Sequence, residues 1–81
     1  MKKKGPTREE VRLDRMAKAH QIEQMRRAAA LAEVAKYAEV YRSGTLNRAQ
    51  KQWARAKIAE WSEEAEENGA SRADIATARG F

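Results

Sequence analysis

The sequence predicts an all-α fold: a long N-terminal helix in an antiparallel hairpin with a second helix, then a short C-terminal helix, two copies pairing into a helical-bundle dimer. Three observations carry this expectation. The composition is rich in Ala, Glu, Lys and Arg, with 36% charged and only 6% aromatic residues, which favours long helices over sheets. The single proline is Pro6, and runs of β-branched residues are absent. Start and stop signals divide the chain into helices over about 8–42, 46–67 and 72–78.

The expected organisation is a flexible basic tail, 1–7, followed by one helical domain, 8–81. Thr7 with Glu10 three residues later is a capping box: the hydroxyl accepts from a free backbone N–H and the carboxylate reaches back. Nothing then breaks the helix until Ser43-Gly44, where Gly suits a left-handed C-cap. Asn47 with Gln50 is a second capping box, and Asn68-Gly69 is the next stop. Ser71 with Asp74 opens the short third helix.

The second helix has one apolar stripe of Leu46, Trp53, Ala54, Ile58, Trp61 and Ala65, which places both tryptophans in the core against helix one. Stacking of either Trp on a nucleic-acid base is the alternative, and it needs exposure. Helix one carries two stripes. Leu31, Val34, Tyr37, Ala38 and Tyr41 form one, and Leu13 and Met16 fall back on it. Ile22, Met25, Ala29 and Ala32, with Val11, form another on roughly the opposite side. One partner helix buries only one stripe, so Val11, Ile22, Met25, Ala29 and Ala32 are the candidate protein interface. The bland alternative is scattered surface Ala and Met. Helix one also outruns helix two, so about its first 13 residues overhang the hairpin, a length marginal as an isolated helix. Ile75 and Phe81 are the apolar groups available to cover them.

The chain carries 17 Lys and Arg against 12 Asp and Glu, a net charge of +5. Residues 26–57 hold eight basic and two acidic side chains, whereas 58–81 hold two basic and six acidic. The second helix therefore runs against its own dipole. Antiparallel pairing explains this order, by returning its acidic end beside Arg26 and Arg27. Near the hairpin turn, Arg42, Arg48, Lys51, Arg55 and Lys57 cluster, and with Lys2, Lys3 and Lys4 they are candidate phosphate contacts. The alternative for them is a solvated face.

The chemistry of an active site is missing. With no cysteine, disulfides, thiolate metal sites and thiol nucleophiles are excluded. The one histidine, His20, precedes Glu23, whereas a di-iron bundle needs Glu three residues before His. Glu60, Glu63, Glu64 and Glu67 share a face, which reads as charge pairing rather than a cation site. No Gly-rich phosphate loop exists. The expectation is no enzyme, no cofactor, no metal and no small-molecule substrate. No segment approaches the ~18 apolar residues of a membrane span, and the basic faces lack the broad apolar backing of membrane-surface helices. The N-terminal lysines lead into polar residues rather than a signal peptide. A cytoplasmic location follows as an expectation, in a free-living or an infected cell.

Residues 69–81, Gly-Ala-Ser-Arg-Ala-Asp-Ile-Ala-Thr-Ala-Arg-Gly-Phe, resemble the opening of a helix-turn-helix. The resemblance implies a capped helix with Ile75 toward the core, then a glycine turn. It does not reach a recognition helix, so it assigns no base-reading residue. Two functions follow as expectations. The first is a non-enzymatic helical interaction protein, a small adaptor, regulator or inhibitor that self-associates and binds a protein or nucleoprotein. The alternative is a nucleic-acid-binding protein that contacts phosphates without reading sequence.

Overall fold

The computed structural model describes residue 5 and residues 7–81. The described residues form three helices and no strand: α1 (Arg8–Arg42), α2 (Arg48–Glu67) and α3 (Arg72–Arg79). Lys2, Lys3 and Lys4 lie outside the described residues.

Local chemistry sets the boundaries. At the start of α1 the Thr7 hydroxyl accepts from the Glu10 N–H at 3.2 Å. The expected return bond, from the Thr7 N–H to the Glu10 carboxylate, is absent among the described residues, and Glu10 is exposed. Past Ser43, Gly44 takes φ +75 and ends the helix. The Asn47–Gln50 box is complete, with bonds of 2.9 and 3.0 Å. Because Asn47 is the cap, α2 begins at Arg48, and Leu46 belongs to the turn. The Ser71–Asp74 box is also complete. It holds the Asp74 carboxyl below its ordinary value of 3.8, through bonds to Ser71 backbone and hydroxyl, with the Arg27 charge adding to the effect.

The end of α2 decides the path of α3. The Gly69 N–H donates to Glu66 O at 3.0 Å and the Ala70 N–H to Ala65 O at 2.9 Å. That double bond pattern, with Gly69 at φ +91, is a Schellman motif. Ala65 and Ala70, the apolar pair that accompanies it, pack in one cluster with Ala30 and Ile75, with Leu31 and Trp61 against it. The neighbouring cluster joins Val34, Ala38 and Ile58, flanked by Tyr37, Tyr41, Trp61 and Ala78. At the turn end the Tyr41 and Phe81 rings stack at 5.6 Å.

These contacts run in a consistent order. Arg27 meets Gly69, Ala30 meets Ala65, Val34 and Ala38 meet Ile58, and Tyr37 meets Trp53. Along α3, Ile75 lies beside Ala30 and Ala78 beside Val34 and Ala38. The third helix thus covers the C-terminal half of α1. Ile75 and Phe81 do not cover the N-terminal overhang, because the turn at Gly69 sends the chain back toward Arg42.

Two further expectations are corrected. Trp53 is not a core residue. It is 51% exposed, and its ring stands T-shaped to that of Tyr37, with centroids 5.4 Å apart and planes at 82°. Nor do Arg26 and Arg27 pair with the acidic end of α2. The ion pairs among the described residues are Lys18–Asp14 and Lys57–Glu60, while Arg27 donates instead to the Gly69 carbonyl at 3.3 Å. Exposed charges gain little from fixed pairing, so a capped backbone carbonyl competes well.

Small residues let the helices approach closely. Among the described residues Val34 is the largest side chain below 2% exposure, and Ala30, Ala38, Ala54 and Ala65 supply the other fully buried sites. The core is therefore small for the chain. The described residues extend 70 × 21 × 14 Å, with a radius of gyration of 19.0 Å. A compact chain of this length would have about 12 Å.

Candidate functional site

The feature that makes the molecule long is the N-terminal part of α1. Packing stops near Glu23 and Arg27, which approach Gly69. Every residue from Arg12 to Met25 is exposed. The 15 helical residues from Arg8 to Ile22 project past the bundle by about 22 Å, at 1.5 Å per residue.

This segment and its continuation carry four of the six large, exposed apolar side chains among the described residues, the other two being Trp53 and Phe81. Leu13 is 54% exposed, Met16 61%, Ile22 50% and Met25 70%. They lie on two faces. Met16 and Leu13 continue the line of Val34 and Leu31, which α2 and α3 bury farther along. Ile22 and Met25 share an arc about 80° wide with Val11, Ala29 and Ala32, centred about 160° from the buried line at 100° per residue. Of these five, Ile22, Met25, Ala29 and Ala32 are exposed and Val11 is half-buried. The back of α1 is thus open along both the overhang and the bundle.

The basic candidates do not form one patch. Arg48, Lys51 and Arg55 lie within about 60° of one another on α2. Lys57 points to the other flank, half-buried, and donates to Glu60 at 3.2 Å. Arg42 packs its guanidinium over Gly80, where an added Cβ would lie 2.7 Å from Nη1. Sequence reasoning missed Arg72 and Arg79, which join Arg55 around an open groove of 530 Å³ between α2 and α3. Their spacing of seven, two helical turns, was a legible signal. The groove has Ile58 and Ile75 in its lining, and Glu63 and Glu66 offset the arginines. The Arg79 guanidinium is further engaged, bonding Phe81 O at 2.8 Å.

Among the described residues, potential metal ligands do not gather in threes. His20 Nε2 lies 3.1 Å from Gln24 Nε2 on an exposed turn. Of the described helices, none is long and apolar enough to cross a membrane. No family model, curated protein or solved structure matches this chain.

Proposed function

We propose that this protein is a non-enzymatic helical interaction protein, an antiparallel hairpin with a short third helix that self-associates and acts by binding a protein or nucleoprotein partner. The observation that carries the reading is the open back of α1, where Ile22 and Met25 stand 50% and 70% exposed on a helix that outruns its own bundle. Exposed apolar groups of this size, contiguous along one helix and framed by charge, mark binding surfaces. An aqueous, cytoplasmic setting suits a cysteine-free, highly charged chain.

Light scattering on the full chain tests it. The expected result is a dimer that Ile22→Glu together with Met25→Glu dissociates without loss of helix content. A strict monomer at high concentration contradicts it.

A second reading, phosphate contact with nucleic acid, is favoured by Arg48, Lys51 and Arg55 sharing one flank beside the Arg72–Arg79 groove. It predicts affinity for duplex DNA or RNA that falls steeply between about 50 and 200 mM salt. No detectable binding at low salt excludes it.

A further inference from the structure

We infer that α1 pairs with α1 of a second copy of this chain in an antiparallel coiled coil, about a two-fold axis between Glu23 and Gln24. This rests on the self-association reading and adds to it an orientation and a register. Lys18, Ile22, Met25, Ala29 and Ala32 follow one another at alternating steps of four and three. The same steps reach Arg15 and Val11 on one side and Lys36 on the other. That is the seam of a coiled coil, and it lies on the face of α1 turned away from α2 and α3.

The seam is complementary to itself only when reversed. Its N-terminal half carries long side chains and its C-terminal half carries alanines. An axis between Glu23 and Gln24 sets Ile22 against Met25 of the second copy, twice. It also sets the Lys18 stem across Ala29 and the Arg15 stem across Ala32, large against small in each layer. Lys18 can lie flat there, because its ammonium is already countered by Asp14 at 3.1 Å. Flanking the seam, Arg12 meets Glu33 of the second copy, again twice by symmetry. Neighbouring registers lack this match. A shift of one heptad toward the N-terminus sets Arg12 against Arg26. A shift the other way sets Lys18 against Lys36 and Arg26 against Arg26. Flanking charges select register and orientation in such pairs.

In this arrangement each overhang lies along the back of the other copy's bundle. The segment with no intramolecular partner gains one of matching length.

With no native cysteine, cross-linking reads the orientation cleanly. Arg15→Cys and Ala32→Cys variants, mixed and treated with a short bis-maleimide, are expected to link only to each other. Like positions would stand about 25 Å apart at 1.5 Å per residue. Each variant linking to itself, as in a parallel pair, overturns the inference while leaving self-association intact. Arg12→Glu alone and Glu33→Arg alone should each weaken dimerisation about threefold to tenfold, and the double variant should recover the original affinity. A double variant no tighter than the singles overturns the register. A full chain that light scattering finds monomeric overturns the underlying reading as well.

Discussion

Met16 and Val34 sit on the same line of α1, five turns apart, and have opposite environments. Val34 is fully buried and Met16 is 61% exposed. Both are apolar, both lie in an unbroken helix, and neither differs in local propensity enough to matter. The difference is the reach of the other elements. At 20 residues α2 is too short to follow α1 to its start, and the Schellman turn sends α3 back over ground α2 already covers. The C-terminal half of α1 is therefore held by tertiary packing. The N-terminal half is held by propensity, a cap and the Lys18–Asp14 pair, which is marginal for a free helix in water.

Paired substitutions at those two positions give the largest expected contrast. Val34→Asp places an unpaired charge in a dry site and should abolish the cooperative thermal transition, read by circular dichroism, because a core this small has only a few kcal/mol to lose. Met16→Asp should leave the bundle's stability within about 0.5 kcal/mol. If both unfold the protein, the two halves are one cooperative unit and the contrast fails.

Ile58→Ala removes the largest buried side chain that α2 contributes and should destabilise by about 2–5 kcal/mol in denaturant unfolding. Gly69→Ala should cost about 1–2 kcal/mol, since its φ is +91 and a Cβ would meet Glu23 Oε1 at 2.8 Å. A neutral result at Gly69 would mean that the turn has another way to reverse the chain. The smallest effect concerns pH. The folded state lowers the Asp74 pKa, so its contribution is present above about 3.8 and is lost as pH falls through the lower folded value. Asp74→Asn should flatten the acid dependence of α3 helicity, followed by NMR, and leave residues 8–22 unaffected.

Helix existence was legible because caps and stops are local. Asn47 with Gln50, Ser71 with Asp74, and Gly at 44 and 69 each act within a few residues. The open face of α1 was legible too, since helical periodicity alone separates Ile22 and Met25 from Val34. The direction of α3 was not. Ile75 and Phe81 offered apolar surface to either half of α1, and only the Gly69 turn selected the C-terminal one. The exposure of Trp53, by contrast, was legible: at 100° per residue it lies about 120° from the buried line of Ala54, Ile58 and Ala65.

The chain by itself determined three helices and an α1 longer than its partner, because hydrogen-bond capping and side-chain periodicity are encoded over short spans. Tertiary structure decided which half of α1 the third helix covers and how the arginines divide. It also decided that Arg27 serves a backbone carbonyl rather than a glutamate. Those outcomes depend on where helices of unequal length come to rest against one another, and no local pattern specifies that.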